Sequence, residues 1–181
     1  MDRPMGSPTE GDRLRLDLGC GTRKKEGFLG VDIREFPGVD VVADLTQPWP
    51  WRNGTVAEVF CSHFVEHLDA RERIHFANEL HRILMPGGSA TLVTPHWAST
   101  RAYGDLTHKW PPVAESWYPH LNRRWREENA PHGDEYTCDF EHSFDYGISQ
   151  ALATRPTLEQ QFAILNYKDA AQDLIAKLTR R

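Results

Sequence analysis

Residues 14–33 read LRLDLGCGTRKKEGFLGVDI, and this stretch decides the fold. Leucines alternate with other residues up to Leu18, which predicts a β-strand that ends in the turn Gly19-Cys20-Gly21. Two glycines directly after a strand let the backbone turn tightly and approach a ligand without a side-chain clash. A second short apolar run, Phe28 to Ile33, predicts the next strand, with Asp32 at its end. The pattern therefore predicts a strand-turn-strand unit with a carboxylate beside the turn.

The spacing between the turn and this carboxylate separates classes of ligand. Asp32 follows Gly21 by 11 positions, whereas the dinucleotide fingerprint places its acidic residue roughly 20 residues on and adds a third glycine that opens a helix. Only residues 22–27 lie between the turn and the second strand, so we expect the first helix to be reduced to a turn or a loop. A pyrophosphate held on a helix N-terminus is then not expected. A nucleoside without phosphates, with its ribose hydroxyls on Asp32, fits better.

The rest of the chain predicts a sheet whose strands are joined by loops and helices. Asp69 and Glu72 have the spacing of a helix-capping box, apolar residues then recur at helical spacing, and Pro86-Gly87-Gly88 is expected to end this helix. Because several strands are wholly apolar, we expect a mostly parallel sheet with covered faces. Further strands are predicted over residues 39–43, 57–64, 89–94, 140–148 and 173–179, with a helix over 156–170.

The length and composition of the chain limit the classes of protein to which it can belong. The chain has 181 residues, of which 39% are hydrophobic and 26% charged, and this fits one globular domain. We predict a flexible tail over 1–12 and a single domain over 13–181, with an aromatic, proline-rich insertion over 98–136. No stretch approaches the roughly 20 apolar residues of a membrane helix. The three cysteines are too few and too scattered for a disulfide framework or a zinc site, which favours a cytoplasmic location.

Several motifs occur together in a familiar order. They are LDLGCG, VDI, ADL, FCSHFVEHL and LHRILMPGGSATLVTP, and they span about Leu14 to His96. In this stretch the chain resembles class I S-adenosylmethionine-dependent methyltransferases of the methyltransferase type 11 group. The resemblance implies a Rossmann-like α/β fold, a mostly parallel sheet with an antiparallel last strand, and S-adenosyl-L-methionine as the cofactor. The shortened first helix departs from the family and is expected to open the adenosine site.

The resemblance also implies a set of cofactor-binding residues. Asp17 would orient the methionine amino group, Asp32 would hold the ribose hydroxyls, and His63 would line the methionine part. Asp44 would face the adenine amino group, with Leu45 donating its backbone amide to the ring; alternatively, Asp44 only caps a turn. The residues that would contact the cofactor are Asp17, Gly19, Cys20, Gly21, Asp32, Asp44, Leu45 and His63.

The catalytic residues are expected after the fifth strand. If the acceptor is a hydroxyl, a nearby base can remove its proton, and histidine is the usual candidate near neutral pH. His96 follows the strand directly, and Asp105 and His108 lie in the next loop, where the carboxylate could fix the tautomer of the imidazole. Alternatively, Asp105 and His108 only pin a turn, and His67 is expected to be structural. A metal held by His96, Asp105 and His108 would have suitable ligand types, but the spacing matches no metal-binding motif, so no metal is predicted.

The charge pattern bears on the acceptor. The net charge is −5, and the run of Arg123, Arg124 and Arg126 is followed at once by Glu127 and Glu128, which favours a salt-bridged helix end over a nucleic-acid patch. We therefore expect methyl transfer to a small-molecule or sugar-like hydroxyl, with no membrane partner. The 98–136 segment would be the lid. Its available aromatic walls are Trp110, Trp117, Tyr118 and Trp125. Two alternatives remain, an RNA or DNA methyltransferase that uses the arginines and a cofactor-binding scaffold without turnover, and the sequence indicates no oligomeric state.

Overall fold

The computed structural model describes residues 13–181, so the tail predicted over 1–12 lies outside the described residues. Seven strands form one sheet in the order β3-β2-β1-β4-β5-β7-β6. They are β1 (Leu14–Leu18), β2 (Leu29–Asp32), β3 (Val41–Val42), β4 (Val56–Ser62), β5 (Leu84–Pro95), β6 (Phe140–Ile148) and β7 (Ala171–Arg180). Strands β1 to β5 pair in parallel, and β7 runs antiparallel to both β5 and β6. This confirms the mostly parallel sheet with an antiparallel last strand.

Within residues 13–181, five α-helices and two short 3-10 helices connect the later strands. The α-helices are α1 (Ala70–Ile83), α2 (Arg101–Gly104), α3 (Arg123–Asn129), α4 (Gln150–Ala153) and α5 (Thr157–Asn166), and the 3-10 helices cover Val65–His67 and Glu115–Leu121. The capping box predicted for α1 is present, because the Asp69 carboxylate accepts the Glu72 amide and the Glu72 carboxylate accepts the Asp69 amide. Residues 19–28 form turns, which confirms that the first helix is absent.

Two helix ends differ from the sequence prediction. Helix α1 ends at Ile83 rather than at Pro86, because Leu84 is already extended and pairs with Val56, so the Pro-Gly-Gly run lies inside β5. The helix predicted over 156–170 ends at Asn166. Three residues further on, the Asp169 carboxylate accepts hydrogen bonds from the amide and the hydroxyl of Thr100, and these bonds fix the end of this connection to the segment after β5.

One face of the sheet is open, which corrects the expectation of covered faces. A row of register partners runs across five neighbouring strands, and every member is polar and exposed or half-buried. The row consists of Arg15, Glu58, Ser89, Thr179 and Glu141. The opposite face is buried and apolar, with Leu16, Val59, Ala90 and Leu178 in the next register. Helices cover both faces of an ordinary doubly wound sheet, whereas here the connections between β1 and β4 contain no helix in the described residues.

The 98–136 segment is folded onto the buried face. Tyr118 is fully buried there, so it is a core residue and not a wall for an acceptor. Arg126 is only 7% exposed, and its guanidinium donates to the carbonyls of His120, Tyr136 and Cys138. Arg126 therefore fixes this segment internally. Among the described residues, no helix has the length and apolar character that crossing a bilayer requires.

Candidate active site

Two adjoining cavities of about 390 and 640 Å³ lie where β1, β2 and β4 end. Both are lined by Gly19 and His63, so they adjoin, and the two cavities together are here called the trough. The carboxyl ends of parallel strands are the usual place for a ligand in open α/β sheets. Apart from Gly21, every cofactor residue predicted from the sequence lines this trough. Asp17 and Cys20 line the smaller cavity, and Asp32, Asp44 and Leu45 line the larger one.

The glycine turn is held against the end of β2 by backbone hydrogen bonds. The amides of Gly19 and Cys20 donate to the Val31 carbonyl at 2.8 and 3.1 Å, and the Gly21 amide donates to Asp32 Oδ2 at 2.9 Å. Both glycines have positive φ, 70° at Gly19 and 51° at Gly21. The second carboxylate oxygen of Asp32 accepts the Arg34 amide at 3.1 Å. Each carboxylate oxygen has further acceptor capacity beyond one amide, so Asp32 can still bind a ligand from the cavity.

Two further carboxylates line the trough in different environments. Asp17 is buried, which raises its pKa, and its Oδ2 accepts the Lys25 amide at 2.7 Å. Asp44 Oδ1 accepts both the amide and the hydroxyl of Thr46, and these hydrogen bonds hold its pKa below the usual range. Asp44 therefore caps a turn and also lines the larger cavity. A cationic group beside Asp17 would offset the free-energy penalty of burying that carboxylate.

His63 is the boundary between the trough and a third cavity. It follows β4 with a φ of 55°, an uncommon value outside glycine. Its Nδ1 lies 3.2 Å from Glu66 Oε1, and this hydrogen bond raises the pKa of His63. The third cavity, of about 620 Å³, is here called the histidine cavity. It is lined by His63, Glu66, His67, Pro95, Arg101, Gly104, Asp105, Leu106 and His108.

The histidine cavity brings together two of the three predicted catalytic residues, but their contacts differ from the expected pair. His108 Nδ1 lies 3.1 Å from the Ala102 carbonyl, and a carbonyl can only accept, so this contact fixes the imidazole proton on Nδ1. Asp105 Oδ2 is 4.0 Å from His108 Nε2, while its Oδ1 accepts the amide and hydroxyl of Thr107. Ala102, and not Asp105, therefore sets the tautomer of His108.

His96 lies apart from these residues. Its side chain is 2% exposed and does not line the histidine cavity. The Ala98 amide donates to His96 Nδ1 at 3.2 Å, so Nε2 carries the proton that is donated to Glu115 at 3.1 Å. Both ring nitrogens are engaged, which leaves His96 no free lone pair with which to accept a proton in this structure. This geometry does not favour His96 as a base, and its catalytic role stays a prediction.

No sequence pattern identifies His67 as a site residue. Its ring lies 4.9 Å from that of His108, centre to centre, and its Nδ1 is 3.0 Å from Thr107 Oγ1. His67 follows β4 and His108 lies beyond β5, so the fold brings together two residues that share no local motif. The one available signal is that each follows a strand that ends at the same edge of the sheet.

Comparison with solved structures decides the fold family. A SAM-dependent methyltransferase from Archaeoglobus fulgidus is 22% identical over 94% of this chain and 87% of that chain, with a TM-score of 0.64. An S-adenosylmethionine-dependent methyltransferase from Mesorhizobium loti is 17% identical over 96% of this chain and 94% of that chain, with a TM-score of 0.51. Geranyl diphosphate C-methyltransferase from Streptomyces coelicolor is 18% identical over 94% of this chain and 71% of that chain, with a TM-score of 0.52. The chain has the class I methyltransferase fold. No family model and no curated protein matches the sequence, so membership of the type 11 group stays a prediction.

The glycine turn of this methyltransferase fold generates a paired prediction. Alanine is strained at either glycine, by roughly 1–2 kcal/mol, because both have positive φ. Only at Gly19 would the added Cβ also meet another side chain, at 2.8 Å from Phe64, and such overpacking adds about 1–3 kcal/mol. Denaturant unfolding should therefore show a larger loss of free energy for Gly19→Ala than for Gly21→Ala, whose Cβ has open space around it. Equal losses would mean that the turn does not pack against Phe64.

Proposed function

We propose that this chain is a methyltransferase that uses S-adenosyl-L-methionine and acts on a small-molecule or sugar-like acceptor, at oxygen. The observation that carries the proposal is the arrangement around His63. On one side lies a trough walled by a two-glycine turn and the carboxylates of Asp17 and Asp32, and on the other lies a cavity with histidine side chains. A cofactor side and an acceptor side thus adjoin at His63 and at His67, both of which line the larger cavity of the trough and the histidine cavity.

The residues of the trough fit the proposed cofactor in shape and charge. A cofactor portion would pass along the turn at Gly19, which lines both cavities, and its ammonium group would compensate the buried carboxylate of Asp17. Asp32 would accept the ribose hydroxyls, and Asp44, with Leu45, would bind the adenine. When bound, the cofactor supplies an electrophilic methyl group. The protein's part is alignment of the acceptor, which supplies most of the acceleration in a direct displacement.

His108 is the proposed proton acceptor for the acceptor hydroxyl. With its proton on Nδ1, the neutral imidazole presents the Nε2 lone pair. Hydrogen bonds from Thr107 keep the pKa of Asp105 low, so this carboxylate stays ionised and would stabilise the imidazolium from 4.0 Å. The 98–136 segment would cover the acceptor, with the exposed side chains of Leu106 and Trp110 at its edge.

The arginine contacts favour a small acceptor over RNA or DNA. Arg126 is buried and so is not presented to a phosphate, whereas Arg124 is exposed and pairs with Glu128 at 3.0 Å, which offsets its charge. The alternative of a cofactor-binding scaffold differs from the proposal only in that it has no turnover. Assays of methyl transfer to a broad set of acceptors would separate the two. A cytoplasmic location belongs to the same proposal, and the three cysteines are all free and buried.

Cofactor binding is the first test of this proposal. Calorimetry should detect binding of S-adenosylmethionine and of its demethylated product, but not of NAD. Asp32→Ala should weaken binding by about 1.5–3 kcal/mol, the scale of lost hydrogen bonds to a charged group. Glu35→Ala is the matched control, because it removes an exposed carboxylate nearby that does not line the trough. Tighter binding of NAD, or equal affinities for the two variants, would overturn the assignment.

Turnover tests the acceptor side. His108→Ala should lower the rate of methyl transfer by about 10²–10⁴-fold at neutral pH, the usual contribution of a general base. Cofactor affinity should stay the same, since His108 does not line the trough. The exposed His132 offers a control whose removal should change neither quantity. Full turnover in His108→Ala would show that His108 does not accept the proton.

A further inference from the structure

Three potential metal ligands converge in the histidine cavity. A carboxylate oxygen of Glu66 and one ring nitrogen each of His67 and His108 lie within 4.8 Å of one another. Ligands on opposite sides of an ion bonded at about 2.1 Å are about 4.2 Å apart, so small side-chain rotations would bring all three into one coordination sphere. The ring of His108 is also 4.0 Å from Asp105 Oδ2, which can supply a fourth ligand.

The hydrogen bonds around the two imidazoles orient both as ligands. The Ala102 carbonyl accepts the Nδ1 proton of His108, which leaves the lone pair on Nε2. The Thr107 hydroxyl donates to Asp105 Oδ1 at 2.7 Å, so it can only accept from His67 Nδ1 at 3.0 Å. His67 therefore also presents a bare Nε2. A second hydrogen bond of this kind, from the ring to a carbonyl or a carboxylate network, is typical of metal-binding histidines.

Glu66 supplies an independent sign that a ligand is bound here. Its side chain is 5% exposed, and while Oε1 contacts His63, its Oε2 is buried and has no hydrogen-bond partner. A buried carboxylate oxygen without a partner is costly unless a positive charge compensates it. The nearby Arg73 interacts electrostatically with Glu66 but makes no hydrogen bond to it, and its guanidinium donates instead to the carbonyls of Val65, Lys109 and Pro111.

These hydrogen bonds of Arg73 also make the cluster rigid. Val65 begins the 3-10 helix that carries Glu66 and His67, and Lys109 directly follows His108. One buried guanidinium thus holds together the two segments from which the ligands come. The positive charge of Arg101, which lines the same cavity, is paired with Asp173 at 2.8 Å. The cavity is therefore preorganised for an added cation.

We propose that Glu66, His67 and His108 bind a first-row divalent transition-metal ion, with Asp105 as a further ligand. Two imidazoles and carboxylate oxygens suit Zn²⁺, Mn²⁺, Co²⁺ or Ni²⁺ better than Mg²⁺ or Ca²⁺. The remaining coordination positions open to the cavity that adjoins His63, so the ion would bind and orient the acceptor's oxygen. Because the ion would occupy the Nε2 lone pair of His108, this residue would accept the acceptor's proton only in the metal-free enzyme, and in the metal-bound enzyme the ion would instead lower the pKa of the acceptor's hydroxyl. This replaces the expectation that the chain has no metal site. Binding of the ion is independent of the proposed function, whereas its role toward the acceptor rests on it.

Cobalt binding to the metal-free protein tests the proposal directly. Titration with Co²⁺ should give visible absorption bands that saturate at one ion per chain, and Zn²⁺ should displace them. His67→Ala and His108→Ala should each weaken Co²⁺ binding by more than about tenfold. Thr107→Val keeps every ligand but removes the hydroxyl that orients His67, and it should weaken binding by about 10–100-fold, as expected for an outer hydrogen-bond partner. His132→Ala, which removes an exposed histidine, should have no effect.

Two results would overturn the site. One is saturable binding that His67→Ala and His108→Ala leave unchanged while both variants keep the wild-type circular dichroism spectrum. The other is the absence of saturable binding by the wild-type chain. Calorimetry with S-adenosylmethionine on the same metal-free samples keeps the two proposals separate: cofactor binding without metal binding rejects only the metal site, and metal binding without cofactor binding rejects only the methyltransferase.

Discussion

Three consecutive backbone amides after β1 are bound by the end of β2, and the rest of the site depends on this clamp. Gly19 and Cys20 donate to the Val31 carbonyl, and Gly21 donates to the Asp32 carboxylate. With the turn closed in this way, a connection of about ten residues suffices where other doubly wound folds insert a helix. The clamp also places Asp32 at the trough and keeps Gly19 in contact distance of Phe64, directly after His63.

The short connections determine how the rest of the molecule is stabilised. Because the connections between β1 and β4 contain no helix in the described residues, one face of the sheet carries the exposed polar row, and most of the apolar core forms on the other face. Helix α1 and the 98–136 segment supply that cover. Arg73 of α1 connects the two through hydrogen bonds to the carbonyls of Lys109 and Pro111, while Arg126 fixes the 98–136 segment internally. The segment that brings His108 to the site is therefore also part of the core packing. Position at the site and stability of the fold are coupled through the same residues.

The sequence contained much of this information, but unevenly. The glycine turn, Asp32 and the capping box at Asp69 are local patterns, and local hydrogen bonds realise them. The exposed face is encoded as polar residues that alternate with apolar ones, as at Arg15 and Glu58, whereas the apolar runs alone predict strands that are buried on both faces. The spacing of Asp105 and His108 suggests a carboxylate–imidazole pair, but in the structure the Ala102 carbonyl accepts the Nδ1 proton of His108. The proximity of His67 to His108 depends on the order of strands and on Arg73, and no local sequence pattern encodes it.

The central claim is that the trough between the glycine turn and His63 binds S-adenosylmethionine with its reactive end toward the histidine cavity. A crystal structure with the demethylated cofactor product tests this most directly. The account predicts the ribose hydroxyls on the Asp32 carboxylate, the amino group beside Asp17, and the sulfur beside His63 and facing the histidine cavity. A product molecule bound away from Asp32, or with its sulfur turned away from His63, would contradict the account.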